Sequence, residues 1–347
     1  MSRFEKGGGT VRVLTYLPLA GGVGLFLYGI TLLGESLERA AGAKLSRLLR
    51  RMTRGRWRPM LLGLCVTAVI QSSTAATVMT IGLVNGGILG LEQAAGIIFG
   101  ANIGTTATAW LLSLSELSGG GALMELLKPS GLAPILLLVG GLAYLLGGER
   151  SGAKARALLP LGFGLLFLGM GMMEQALLPL SERADFRALF MRCDSLPTGI
   201  LAGALVTALI QSSSASVGML QALASTGMVP FSTAVPIIMG QNIGTCVTVL
   251  LASVGSGLNA RRAAMVHFYF NLFGTIAFCA LIYGAKATVG IPFWGEAVTR
   301  SGISLFHTLF NVVNTLWMMP LLDRLLRLVE RTVGGRRAAG LAGSRTA

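Results

Sequence analysis

The sequence predicts an all-α, polytopic membrane protein with two inverted repeats, each containing a re-entrant hairpin and a broken helix. Of its 347 residues, 53% are hydrophobic and only 12% are charged, a composition that is unusual for a soluble domain. Several apolar stretches reach the roughly 20 residues that a helix needs to cross a hydrocarbon core, and we expect about eight crossings in all. A long segment also occurs twice with its polar residues in register.

The first apolar stretch, from Val13 to Leu33, is followed by a strongly basic segment. Residues 44–58 contain seven Lys or Arg residues and no acidic residue. Short loops rich in Lys and Arg favour the cytoplasmic side of a membrane. We therefore expect a cytoplasmic loop at 44–58 in a multi-pass protein of the cell (inner) membrane. The net charge of +14 does not indicate a nucleic acid partner, because the basic residues lie in short segments between apolar runs.

The next element is the repeated segment, in which residues 61–114 align without a gap with residues 201–254, at an offset of 140 residues. The matched positions include rare polar residues, whereas chance similarity between apolar segments would match Leu, Ala and Val. The stretch ahead of the second copy, 181–197, has mixed charges, unlike 44–58, and this difference favours opposite orientations of the two copies. The predicted division is a first repeat at 1–150, a second repeat at 151–290, and a C-terminal transmembrane helix with a basic tail at 291–347.

Each repeat contains a run of four polar residues directly after an apolar approach. Unsatisfied amide and hydroxyl groups are costly in lipid, so these side chains must meet protein, ions or a water-filled cavity. Four adjacent polar residues point around most of a helical turn, which favours the tip of a re-entrant hairpin. Duplicated membrane segments are characteristic of secondary transporters, whose site forms from both halves. The candidate binding residues here are Gln71, Ser72, Ser73, Thr74, Gln211, Ser212, Ser213 and Ser214.

A second duplicated motif, at Gly100 to Thr106 and Gly240 to Cys246, places two glycines around an Asn within an apolar span. Glycine permits local unwinding, and a helix that restarts after a break exposes free backbone amides that can bind an anion. The unwound carbonyls and side-chain oxygens suit sodium. The alternative is that small residues serve close packing and hydroxyls bond to their own helix. The candidates are Asn102, Gly104, Thr105, Thr106, Asn242, Gly244 and Thr245.

Three further groups of residues receive mainly structural interpretations. His267 and His307 are each followed four residues later by Asn, which places each pair on one helix face; we favour structural roles, with proton sensing as the alternative. Glu35 and Glu174 are interpreted as residues at the membrane interface. The four cysteines show neither CxxC pairing nor His clustering, so we expect no metal cofactor site and no disulfide framework.

In the combination of its two duplicated motifs, the sequence resembles the type II sodium/phosphate cotransporter family, in particular bacterial members without a C-terminal phosphate-regulatory domain. The resemblance implies a secondary active transporter that couples sodium entry to uptake of inorganic phosphate by alternating access. The implied partners are inorganic phosphate, sodium ions and the lipid bilayer, with sodium as the coupling ion, bound through a subset of the candidate residues, and no other cofactor. The sequence makes no prediction of the oligomeric state.

Two other classes of function are open to the same sequence. An anion channel, or an exporter of phosphate or a related anion, could use this fold without sodium coupling. A membrane enzyme with a serine nucleophile is disfavoured, because only His267 and His307 could act as a base and neither has an acidic residue near it in the sequence. We therefore predict a transport protein and no enzyme activity.

Overall fold

The computed structural model describes residues 8–51, 55–114, 129–147, 153–183 and 195–334. Apart from an isolated bridge between Pro230 and Ala297, the regular elements of these residues are all α-helices, which confirms the predicted all-α class. The helices are α1 (Gly8–Arg51), α2 (Trp57–Ile70), α3 (Ser73–Asn85), α4 (Leu91–Gly104), α5 (Thr106–Ser113), α6 (Pro129–Leu146), α7 (Ala153–Ser181), α8 (Leu196–Ile210), α9 (Ser213–Ala224), α10 (Phe231–Ala252), α11 (Leu258–Thr288), α12 (Arg300–Met318) and α13 (Leu322–Thr332).

Within the described residues, five helical segments are long and apolar enough to cross a membrane, and a sixth results if α12 and α13, which meet at 87°, are counted as one span. This number is below the predicted eight. The apolar helices α2 and α8 have only 14 and 15 residues, short of the roughly 20 that a crossing needs. A segment of this length suits the predicted hairpins, while the opposite orientation of the repeats and the boundaries at 150 and 290 stay predictions.

The predicted loop at 44–58 needs a correction. Helix α1 has 44 residues and continues to Arg51, so the first half of the basic segment is helical. Loops are favoured by turn residues such as Gly, Pro, Asn and Asp, and residues 44–51 contain none of them. The cytoplasmic position of the segment stays a prediction.

The two copies of the repeated segment pack in the same way. In both, glycines bring the backbones of two helices into direct contact, α2 with α4 and α8 with α10. Small residues allow such close approach between membrane helices. A Cβ atom would overlap backbone atoms of the neighbouring helix at three matched pairs of glycines. These pairs are Gly63 and Gly203, Gly100 and Gly240, and Gly104 and Gly244.

A charged cluster joins α13, at the end of the described chain, to the first repeat. Arg56 donates to both carboxylate oxygens of Asp323 at 2.7 and 2.8 Å and to Glu92 at 2.8 Å. Hydrogen bonding to Asp323, with a smaller effect of Glu92, raises the pKa of the Arg56 guanidinium. Helix α13 buries Leu322, Leu325 and Val329 on one face, the pattern of a helix that lies along a surface. The cluster therefore fixes α13 against the start of α2 and α4.

The glycine contacts generate a stability prediction. We expect Gly100→Ala to destabilise the protein by about 1–3 kcal/mol, because the new Cβ overlaps the carbonyl oxygen of Met60 and forces α2 and α4 apart. The matched control is Gly82→Ala in α3, where nothing lies within 4 Å of the added Cβ. The measurement is the thermal unfolding midpoint of the purified proteins in detergent. Equal midpoints for the two variants would contradict the packing argument.

Candidate functional site

The helix break of each repeat lies at the glutamine of the Gln-Ser-Ser motif. Gln71 follows α2 with φ 62° and ψ 20°, and Gln211 follows α8 with φ 59° and ψ 23°. Within the described part of the chain, these are the two non-glycine residues with positive φ. Each backbone amide donates at 2.7 Å to the carbonyl of a threonine four residues earlier, Thr67 or Thr207. A left-handed conformation costs a non-glycine residue about 1–2 kcal/mol, and strain of this kind concentrates at functional sites.

A new helix begins directly after each break. The Ser72 hydroxyl caps α3 by accepting from the Ala75 amide at 3.1 Å, and the Ser212 hydroxyl caps α9 by accepting from the Ala215 amide at 3.2 Å. Serine is among the preferred residues at this position. The first amides of an α-helix have no intrahelical acceptor. The caps occupy the Ala75 and Ala215 amides, so the amides available to a ligand are the first two of each helix.

Both helix starts face the same cavity, which has a volume of about 340 Å³. Helix α1 forms another wall with Leu27, Ile30, Thr31, Gly34 and Glu35. No Lys or Arg is among the described residues that line the cavity, so the positive partial charges at its wall are those of the two helix N-termini. The cavity brings together all eight residues of the predicted Gln-Ser-Ser sets, Gln71, Ser72, Ser73, Thr74, Gln211, Ser212, Ser213 and Ser214.

The prediction of unwound helices at the Asn-Ile-Gly motifs was wrong for the second repeat. Helix α10 runs without a break through Gly240 to Cys246. In the first repeat only Thr105 separates α4 from α5, and it keeps helical angles, with φ −63° and ψ −25°. The small size of the glycines, which lets the backbones touch, outweighs their flexibility. The helix starts that could bind an anion lie at Ser73 and Ser213 instead.

The candidates in these motifs lie outside the cavity lining and bond mainly within their own helices. Asn102 donates to the Ile98 carbonyl at 2.8 Å, and Asn242 donates to the Ile238 carbonyl at 2.9 Å. The hydroxyls of Thr106 and Thr245 likewise donate to nearby carbonyls. These contacts match the packing alternative. The remaining candidates here are Gly104 and Gly244, which contact the neighbouring helix, and Thr105, whose buried hydroxyl has no partner.

Three residues near the cavity were not predicted as ligands. Thr31 and Glu35 line it from α1, although the sequence favoured an interfacial position for Glu35. Thr108 of α5 donates to the Gln71 side-chain oxygen at 2.7 Å, and Ser214 donates to Thr108 at 3.3 Å. Thr108 thereby connects the two Gln-Ser-Ser segments. A signal existed in the sequence, because the repeat matches Thr108 with Thr248.

The two His-Asn pairs lie away from the cavity. Asn271 and Asn311 each donate to the backbone carbonyl of their own histidine, at 3.1 and 2.9 Å. Asn271 also donates to Asn102 at 3.4 Å, so this pair joins α11 to α4. Both histidines are buried and neither is among the residues that line the cavity. The bonds to Asn use the histidine backbones, while Nδ1 of His267 and both ring nitrogens of His307 have no hydrogen-bond partner among the described residues, so the structural role of the two imidazoles stays a prediction.

A buried ion pair was also missed by the sequence interpretation. Arg300, at the start of α12, is 4% exposed and pairs with Glu174 of α7. The backbone carbonyl of Arg300 also accepts a hydrogen bond from the Gln221 side-chain amide of α9 at 3.2 Å. The ion pair therefore joins α7 to α12, and the interfacial position of Glu174 stays a prediction. Its partner lies more than a hundred residues away in the chain, where local sequence patterns give no signal.

Comparisons with known proteins agree with this architecture. A family model described as Na+/Pi-cotransporter matches residues 25–175 and 180–307, and these ranges include both copies of each duplicated motif. No solved structure shows a significant match to the chain.

Two bacterial relatives match nearly the whole chain. Uncharacterized protein YqeW of Bacillus subtilis is 30% identical over 308 residues, which cover 88% of this chain and 94% of the relative. A protein of Escherichia coli K12, provisionally named inorganic phosphate export protein YjbB, is 27% identical over 325 residues. That match covers 92% of this chain but 56% of the relative, so the chain spans about half of its length.

A shorter match involves a mammalian protein. Sodium-dependent phosphate transport protein 2A of Rattus norvegicus is 47% identical over 79 residues, which cover 21% of this chain and 12% of the relative.

The strained glutamines generate a prediction about the backbone alone. Gln211→Gly and Gln211→Ala both remove the side-chain amide, but only glycine adopts positive φ without steric cost. We expect the glycine variant to be more stable by about 1 kcal/mol. Thermal unfolding in detergent measures the difference. As a control, the same two substitutions at the exposed helical residue Leu209 should show the opposite order, and an alanine variant at 211 as stable as the glycine variant would contradict the prediction.

Proposed function

This chain belongs to the Na+/Pi-cotransporter family, and from that membership we propose that it is a secondary active transporter that couples sodium entry to uptake of inorganic phosphate by alternating access. The observation that carries the proposal is the shared cavity, in which two capped helix starts, one from each repeat, meet. Helix N-termini of this kind bind phosphate and other anions. The chain is a multi-pass membrane protein, and we place it in the inner membrane with residues 44–58 on the cytoplasmic side.

The charge of the cavity explains why a cation would be needed. Each helix N-terminus acts as about +0.5 of an elementary charge, so two of them supply about +1. Divalent phosphate carries twice that charge with the opposite sign, while the acidic residue Glu35 in the lining is paired with Arg39 at 3.2 Å. Sodium ions would supply the missing positive charge through the neutral oxygens of the serine, threonine and glutamine side chains. Phosphate binding and sodium binding then support each other.

The cavity also has room for an anion together with its coupling ions. At about 30 Å³ per water molecule in the liquid, 340 Å³ corresponds to about ten waters. No His is among the described lining residues, and the Glu35 carboxylate there is paired with Arg39 at 3.2 Å, an arrangement that does not favour activation of a serine nucleophile. Both features favour binding and release of an intact anion over chemical conversion.

The proposal is tested by uptake of radiolabelled phosphate into proteoliposomes. We expect an inward sodium gradient to drive uptake that a potassium gradient does not support. Gln211→Gly, which keeps the backbone of the break, should lower the initial rate by about tenfold or more, because hydrogen bonds to charged groups contribute about 1.5–3 kcal/mol. Thr288→Ala, at the exposed end of α11, is the control and should transport normally.

The outcomes separate coupling from binding. Uptake that is equal in sodium and potassium, yet lost in Gln211→Gly, would retain the site and reject sodium coupling. Uptake that is unchanged in Gln211→Gly would reject the cavity as the phosphate site.

A second candidate function is export of phosphate without sodium coupling. It is favoured by the similarity to YjbB, whose provisional name assigns phosphate export to that protein. Liposomes loaded with phosphate and placed in sodium-free buffer distinguish the two functions. Rapid efflux that does not respond to sodium on either side would support the exporter, whereas sodium-dependent efflux is expected of a cotransporter running in reverse.

A further inference from the structure

The two repeats share their geometry but differ in one polar connection near the cavity. In the first repeat, Thr108 bonds to Gln71 at 2.7 Å and to Ser214 of the other repeat at 3.3 Å. The residues at the same positions of the repeat are Thr248, Gln211 and Thr74. The groups needed for the connection, which are a threonine, a glutamine and a further hydroxyl, are therefore present twice. The hydrogen bonds between them form only in one of the two described sets.

The second set of residues is disengaged in this structure. The Thr248 hydroxyl is buried and has no hydrogen-bond partner, while the Gln211 side chain is exposed. A buried hydroxyl without a partner is unfavourable by about 1–3 kcal/mol, so such a group calls for an explanation. By contrast, Thr108 is 1% exposed and fully engaged.

A difference in the helices accompanies the two states of the connection. In the first repeat the helix is interrupted at Thr105, and the Thr108 amide donates at 3.3 Å to the Thr105 carbonyl, three residues earlier. This tighter spacing belongs to a 3₁₀ turn. In the second repeat α10 is continuous, and the Thr245 hydroxyl bonds to the Gln241 carbonyl at 3.0 Å. A local change at Thr105 or Thr245 would alter the direction in which the threonine three residues later, Thr108 or Thr248, points.

We propose that Thr108 and Thr248 are alternating positioning residues for the two Gln-Ser-Ser segments. In the conformation described here, Thr108 holds Gln71 and Ser214. In the opposite conformation, Thr248 holds Gln211 and Thr74, and Thr108 is released. This inference rests on the alternating access of the proposed function, and it assigns to each repeat one hydroxyl that stabilises one of the two conformations.

The wall of the cavity provides reporters for the two conformations. Thr31 of α1 is exposed and lines the cavity. At the offset of the repeat, its counterpart is Gly171 of α7, where an added Cβ meets nothing within 4 Å. Exchange of roles between the repeats should make position 31 accessible in one conformation and position 171 accessible in the other.

The experiment measures cysteine modification in nanodiscs, where both faces of the membrane are open to the reagent. Thr31→Cys and Gly171→Cys are introduced separately into a background whose four native cysteines are replaced by alanine, and the rate of reaction with a charged maleimide is recorded. Neither phosphate nor sodium is required, so failure of the proposed substrate does not affect the result.

The expected signature is a pair of opposite shifts. Thr108→Val should lower the ratio of the modification rate at position 31 to that at position 171 by about three- to tenfold. Thr248→Val should raise this ratio by a similar factor, as expected for loss of one hydrogen bond. Thr108→Ser and Thr248→Ser keep the hydroxyl and should restore the original ratio. Shifts in the same direction, or unchanged ratios in well-folded valine variants, overturn the proposal; if a valine variant does not fold, the corresponding alanine variant is measured by the same criterion.

Discussion

Contact between helix backbones, made possible by glycine, is the interaction on which the rest of this structure depends. In each repeat, three glycines let the helix before the Gln-Ser-Ser break lie directly against the long helix that follows the hairpin. Such contacts leave little freedom for the two helices to slide. They hold the strained glutamine and the following helix start in a fixed position. Two helix N-termini can then face one cavity, an arrangement that is electrostatically unfavourable until an anion enters.

The sequence predicted the outline of the fold because that outline depends on composition and repetition. The apolar stretches determine the helical class, and the polar residues matched at an offset of 140 identify the repeat. The sequence also predicted a break at the Asn-Ile-Gly motifs, whereas α10 is continuous there. Glycine supports both unwinding and close packing, and local sequence does not decide between them. The presence of a neighbouring backbone decides it, as at Gly240 against Ile200.

The candidate site was predicted in part for a similar reason. A run such as Gln-Ser-Ser-Thr is conspicuous because four adjacent polar residues are expensive in an apolar environment. Thr31 and Thr108 each have apolar residues on both sides in the sequence, and for such a hydroxyl a bond to the helix backbone is the common outcome. Thr31 makes such a bond, to the Leu27 carbonyl at 2.9 Å, and also lines the cavity. Only the tertiary arrangement distinguishes Thr31 from other threonines that bond to their own helix backbone.

In the proposed mechanism, the charge balance that would bind phosphate also limits leakage of the ion gradient through partly loaded carriers. Transport without loss of the gradient requires that a partly loaded carrier change conformation slowly. Two helix N-termini offset only about half of a divalent anion, so phosphate alone would leave uncompensated negative charge. During the conformational change the cavity closes to water, where such charge is strongly unfavourable. On this proposal sodium would remove the cost, because its proposed oxygen ligands line the same cavity as the helix starts. A site built mainly from helix dipoles and neutral side chains, with no Lys or Arg among its described lining residues and with Glu35 paired to Arg39, thus makes the cation part of the condition for movement in the proposed mechanism.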